Sequence, residues 1–180
     1  MADERHMITF EHGDRRFNMR VVAIIFDREE KRVLINRAAF DEFWVLPGGR
    51  AELGESAVES LAREMQEELG VEVQVGRLLW VAEEFFESMG KVWHGLGLYF
   101  HVTLPPDCPL YDQESWSGWE EFIEDFYIPE ALRGTTSKLE LLFRWYDRYS
   151  LHELPFYPRF LMNALRSLPT ETQHVVDRGD

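Results

Sequence analysis

The chain alternates between short apolar runs and polar punctuation, and the periods of those runs predict its elements. Asn18-Met19-Arg20-Val21-Val22-Ala23-Ile24-Ile25-Phe26 is rich in β-branched residues, carries no breaker and predicts a buried strand. Asp27–Lys31 is a polar turn, and Arg32–Arg37 returns as a second strand. Phe43–Leu46 predicts a short third strand, stopped by Pro47-Gly48-Gly49. Further strands are predicted at Val71–Glu83 and Val92–Leu104, around a turn centred on Gly90. Beyond them the pattern predicts a short helix near Trp119–Phe126, a strand at Leu139–Tyr146 and a last helix around Pro158–Leu168.

The clearest helix lies between the third and fourth strands. Ser56 followed by Glu59 is a capping-box pair, in which hydroxyl and carboxylate satisfy free amides at a helix start. Leu69 should end the helix, because Gly70 can adopt the left-handed conformation that follows. Val58, Leu61, Ala62, Met65 and Leu69 form one apolar stripe at helical spacing and predict the face that packs on the core. Strands, helix, strands, helix is an α+β order. We expect a single domain at 17–170, a flexible N-terminal segment at 1–16, an acidic insertion at about 105–138 and a C-terminal tail at 171–180.

Composition changes the picture in three respects. With 180 residues, 45% of them hydrophobic and 29% charged, the chain can bury one core and is neither fibrous nor disordered. The net charge of −14 argues against nucleic acid as a partner, since phosphate-backbone binding rests on clustered Lys and Arg. It leaves room for a small phosphorylated substrate if a cation stands between the two negative partners. The single cysteine, Cys108, excludes an internal disulfide. No apolar run reaches membrane-spanning length and the first residues hold no signal-peptide core, so no membrane partner and a cytoplasmic location are expected.

The chemistry concentrates on the capped helix. Glu64, Glu67 and Glu68 leave one side of it together, and carboxylates so close repel one another unless a cation joins them. Such hard oxygen donors suit Mg²⁺ or Mn²⁺. A solvated acidic helix face is the plain alternative for three glutamates alone. The surrounding residues overturn it. From Gly49 the sequence runs five residues to Glu55, seven more, and then Arg63-Glu64-Met65-Gln66-Glu67-Glu68-Leu69-Gly70-Val71. This resembles the Nudix box, G-x5-E-x7-R-E-U-x-E-E-x-G-U with U aliphatic, at every fixed position, Met65 and Val71 filling the two U sites.

The resemblance implies an α/β/α sandwich with a mixed β-sheet between helices, and hydrolysis of a nucleoside diphosphate linked to another moiety. It implies metal held by Glu64, Glu67 and Glu68 with the backbone carbonyl of Gly48, Glu55 behind them, and Arg63 orienting the glutamates. Glu64 is a ligand or general-base candidate, and Glu83 or Glu84 on the next strand region are the alternatives for the base. Arg37 and Arg50 flank the expected site and are candidates for substrate phosphates, or ordinary surface charges. Phe43, Trp44, Phe85, Phe86, Trp93 and Tyr99 are candidates for stacking a base, although aromatics usually serve burial. His94, His101 and Cys108 recur at wider intervals than zinc ligands use, and Cys108 lacks an activating partner.

The features that mark some Nudix subclasses are missing. Phe86 stands where ADP-ribose hydrolases carry proline, and Phe86–Gly90 holds no tyrosine of the kind that marks dinucleoside polyphosphate hydrolases. The substrate is expected to be a small nucleoside diphosphate derivative, with isoprenoid or RNA-end substrates as the next alternatives. A homodimer is an open assembly. From a different class, a non-catalytic Nudix-like module that senses such a ligand is the competing reading. Modules of that kind typically lose metal-binding glutamates, and all three are kept here.

Overall fold

The computed structural model describes residues 6–121 and 138–179. Strands β1 (Thr9–His12), β2 (Arg15–Ile25), β3 (Arg32–Ala38) and β4 (Gly48–Arg50) precede helix α1 (Ala57–Leu69). They are followed by β5 (Gln74–Ser88), β6 (Lys91–Thr103), β7 (Ser115–Glu121), β8 (Lys138–Asp147), the short helix α2 (Leu161–Ala164) and β9 (Gln173–Asp177). The main sheet has the order β1-β2-β6-β5-β9, with β4 paired to β2, and a second sheet has the order β3-β8-β7. β2 runs parallel to β6, and β5 parallel to β9, while the remaining pairs are antiparallel. The main sheet is therefore mixed, as expected.

β2 explains why an apolar run without alternation is still a strand. Val21, Ala23 and Ile25 join Leu61 and Met65 of α1 in one core cluster. Val22 and Ile24 face the opposite way and pack with Leu161 and Leu165 around α2. With both faces covered, a near-continuous hydrophobic run is what such a strand requires. Leu61 and Met65 are fully buried, each contributing about 1.5–3 kcal/mol of transfer free energy. Among the described residues no helix is long and apolar enough to cross a membrane.

Several expected boundaries move. Phe43–Leu46 forms only isolated bridges, Val45 to Asn36 and Trp44 to Phe156, and the pairing strand lies just beyond it at Gly48–Arg50. The helix expected at Trp119–Phe126 is not one over its first residues, since Trp119–Glu121 pair with β8 in β7. Its remainder falls outside the described residues. The last helix shrinks to Leu161–Ala164. The N-terminal segment expected to be flexible contains β1, and the expected tail contains β9, which hydrogen-bonds along the free edge of β5. On α1, Val58 is exposed rather than part of the stripe.

Candidate active site

The capped helix forms as its sequence predicts. The Ser56 hydroxyl accepts from the Glu59 amide at 3.3 Å, and the Glu59 carboxylate accepts from the Ser56 amide at 2.8 Å. Gly70 adopts φ 67° and its amide donates to the Gln66 carbonyl at 3.0 Å. These two ends set the rotation of the helix. With Leu61 and Met65 pressed on the sheet, Glu64 and Glu68 lie on the adjoining buried flank, while the Glu67 side chain stays 37% exposed.

Three glycines let the backbone close on that flank. Gly49 of β4 lies against the Glu64 carboxylate with no Cβ between them. Gly48 holds φ 140°, and its amide donates to Glu68 at 3.3 Å while its carbonyl accepts from the Arg20 guanidinium at 3.1 Å. A Cβ on Gly118 of β7 would sit 2.8 Å from the Glu68 carbonyl, so only a glycine allows that strand so near the helix end. Glu120 follows two residues later on the same face of β7 and delivers a further carboxylate.

Arg63 ties the acidic groups together. Its guanidinium contacts Glu64 at 2.8 Å, Glu52 and Glu55 at 3.2 Å, and Glu67 at 3.3 Å. The Ser60 hydroxyl donates to Glu55 at 2.8 Å and fixes it from the other side. Burial works against the Arg63 charge, but the hydrogen bond to Glu55 and the charges of Glu64 and Glu52 keep it firmly protonated.

The electrostatics are unbalanced. Burial pushes the Glu64 carboxyl up to about 7, against the pull of Arg63, and the charges of Glu120 and Glu67 add to the rise. Glu68 is raised well above the usual carboxylate range by burial and then by the charges of Glu120 and Glu64, with Arg20 and the Gly48 amide opposing. Burial likewise raises Glu120, although Arg20 and Arg50 oppose it. Negative charge thus exceeds the positive charge set among it. Among the described residues no three carboxylate, imidazole or thiol groups are gathered so as to hold a metal ion; Arg63 donates to Glu64 and Glu67, and Arg20 to the Gly48 carbonyl. The donor chemistry itself fits a hard divalent cation: buried carboxylates whose charge is only partly offset by arginines, beside a backbone carbonyl.

The other expected residues divide. Arg50, on β4, acts on Glu120 and so belongs with the cluster. Arg37 does not join it; its guanidinium donates to the Ala38 and Ala39 carbonyls and to that of Asp41, and lies over the Trp44 ring. Glu83 turns to His174 at 2.8 Å and His94 at 3.6 Å. Glu84 faces the opposite way, accepts from the Tyr99 hydroxyl and feels the Arg20 charge; burial raises its carboxyl. Of the stacking candidates, Tyr99 and Trp93 are buried, Phe86 is stacked on Trp93, and Phe85 on His94. Arg20, Glu52 and Glu120 were not singled out from sequence. Of these, Arg20 alone carries a signal in the sequence, a charge set directly before the apolar run Val21–Phe26.

The chain is similar to known proteins in both sequence and fold. A CTP pyrophosphohydrolase of Escherichia coli (strain K12) is 38% identical over 90 residues, covering 47% of this chain and 65% of that protein. The m7GpppN-mRNA hydrolase NUDT17 of Homo sapiens is 34% identical over 90 residues, covering 46% of this chain and 27% of its own length. The chain thus spans less than two thirds of either relative. In fold, the MutT protein from Bacillus halodurans superposes with a TM-score of 0.51 at 20% identity, covering 91% of this chain and 93% of that one. The family model described as NUDIX domain matches residues 16–132, so the chain belongs to the NUDIX domain family.

Proposed function

We propose that this chain is a divalent-metal-dependent hydrolase that cleaves a phosphoanhydride bond in a small nucleoside diphosphate derivative. One observation carries the reading: Glu64, Glu68 and Glu120 are all largely buried, the charge of Glu120 raises the proton affinity of both Glu64 and Glu68, and the neighbouring arginines offset only part of that negative charge. The relatives support the same reaction class, being named for hydrolysis of CTP and of an mRNA cap.

Glu64, Glu67, Glu68 and Glu120, with the Gly48 carbonyl, would hold Mg²⁺ or Mn²⁺. The cation supplies Lewis-acid neutralisation of the phosphate oxygens, whose charge otherwise repels a nucleophile. Arg63 is a positioning residue: anchored by Glu52 and Glu55, it aims Glu64 and Glu67. Glu64 is alternatively the general base rather than a ligand, since burial raises its carboxyl to about 7 and suits it to taking a proton from the attacking water. Glu84 is the remaining alternative for that role; Glu83 is engaged by His174 and suits it less. A small substrate fits the net charge of −14 better than a nucleic-acid polymer does.

The test is a hydrolysis panel of ADP-ribose, NADH, nucleotide sugars, dinucleoside polyphosphates, NTPs and NDPs, with and without Mg²⁺ or Mn²⁺. Metal-dependent cleavage that drops at least about tenfold in Glu67→Gln, about 1.4 kcal/mol in the barrier, is expected. Binding of a panel member in a thermal-shift assay, with no cleavage under any metal, would replace the hydrolase by a ligand-binding module.

A further inference from the structure

The outer face of the small sheet carries a second arrangement of groups. Ser115 pairs with Arg144, Ser117 with Leu142 and Trp119 with Glu140, and side-chain alternation puts these six on the face opposite Trp116, Gly118 and Glu120. A cavity of about 500 Å³ opens at this edge of the sheet, walled in part by Trp44, Glu114, Ser115, Ser117, Leu142 and Arg144, with the Glu114 carboxylate engaged by Arg32 at 3.0 Å. That volume is in the range of small-molecule sites.

Arg144 is the centre of it. Its guanidinium lies 5.2 Å from the Trp44 ring centroid and 4.6 Å from that of Tyr146. Among the described residues no carboxylate or carbonyl accepts from its side chain. The rings fix the guanidinium by cation–π attraction and leave its N–H donors unused. Arg37 brings a second guanidinium over Trp44, also at 5.2 Å. In a chain of net charge −14, two cations gather on one indole here, and the one carboxylate in the cavity wall, Glu114, is engaged by Arg32. Two exposed serine hydroxyls stand beside them. Trp119, 57% exposed on the same side of β7, offers an open aromatic surface.

We infer that this face binds a nucleoside monophosphate: the phosphate on Arg144, with the serine hydroxyls at its side, and the base stacked on an indole. A fork of free guanidinium donors held rigid by aromatic rings is matched to a phosphate. Stacking accepts any base, so no preference among the four is expected. Glu120 leaves β7 on the other face, which makes this site separate from the glutamate cluster and its reading independent of the hydrolase proposal.

Calorimetric titration of the whole protein in EDTA, where no divalent cation engages the glutamates, tests it. The probes are AMP, GMP, CMP and UMP, with inorganic phosphate and the matching nucleosides as separate arms. Saturable binding of all four monophosphates is expected, at least about tenfold weaker in Arg144→Gln and unchanged in Glu67→Gln. Arg144→Lys, which keeps the charge without the fork, should fall between them and serves if Arg144→Gln does not fold. Phosphate binding as tightly as AMP would overturn the stacking half. Absence of binding at millimolar nucleotide, or equal affinity in the Arg144 variants, would overturn the site.

Discussion

Gly49 on β4 and Glu64 on α1 stand so close that a Cβ on the glycine would fall inside the Glu64 carboxylate. What would have to move is the far end of a flexible side chain. At Gly48 the obstacle is instead the Val21 backbone carbonyl, in a conformation of φ 140° that side chains rarely adopt. Adjacent glycines therefore answer to different demands. Gly49→Ala should melt within about 3 °C of the wild type yet lose at least about tenfold in turnover. Gly48→Ala should lose about 1–3 kcal/mol of stability. Thermal melts beside hydrolysis rates separate the two, and a fully active Gly49→Ala would mean that Glu64 need not be where it is.

Glu120 gives the second prediction. Its charge raises the proton affinity of both Glu64 and Glu68, so in metal-free buffer Glu120→Gln should melt higher than the wild type. If the carboxylate helps hold a cation, the same variant should lose most of the Tm increase produced by Mg²⁺. A lower metal-free Tm together with an intact Mg²⁺ response would remove Glu120 from the site.

Arg63 contacts four glutamates, and Arg63→Ala would leave them facing one another. We expect a loss of about 2 kcal/mol, less than for a fully enclosed pair because Glu55 and Glu67 stay partly wetted. Mg²⁺ should restore part of it. Arg63→Lys should recover stability poorly, since an ammonium cannot present a planar fork to several carboxylates. Denaturant midpoints with and without Mg²⁺ decide this.

The acid limb of stability should depend on Asp27. Burial alone would raise its carboxyl, but hydrogen bonds from the Arg32 side chain and from the Arg32 and Lys31 amides outweigh that and lower it. The folded state thus binds this proton more weakly than the unfolded chain does. The contribution is complete above the usual aspartate range, near pH 4, and is lost as pH falls through the lowered folded value. Asp27→Asn should destabilise at pH 7 and progressively less toward pH 3. Parallel urea curves for the two proteins across that range would contradict it.

Helix α1 was legible because its determinants are local. Ser56, Glu59 and Gly70 act within one turn of its ends, and the box residues between them have fixed phases. What lay beyond was decided by partners distant in sequence. Trp119–Glu121 has the aromatic and acidic spacing of a helix face, yet β8 pairs with it and makes it a strand. Gln173–Asp177 is too polar to announce a strand, and the edge of β5 supplies one. The site follows the same rule. Arg20 meets Gly48 only because β2 and β4 are in register, and Glu120 reaches the helix only because Gly118 lets β7 approach. Phe43–Leu46 looked extended, and Trp44 does bridge, but to Phe156 rather than to a neighbouring strand.

The parallel pairing of β2 with β6 sets how the protein comes to exist at all. Arg15 pairs with Val92 and Ile25 with Val102, so the central ladder joins segments separated by the whole of β3, β4, α1 and β5. Contacts of such sequence separation are slow to form, because loop-closure entropy must be lost before any pairing compensates it. Until that ladder zips, the sheet beneath α1 is incomplete, and Glu64 and Glu68 lack their full enclosure. Their altered proton affinity is thus a property of the completed sheet, and it should appear on refolding together with burial of Trp80 and not ahead of it.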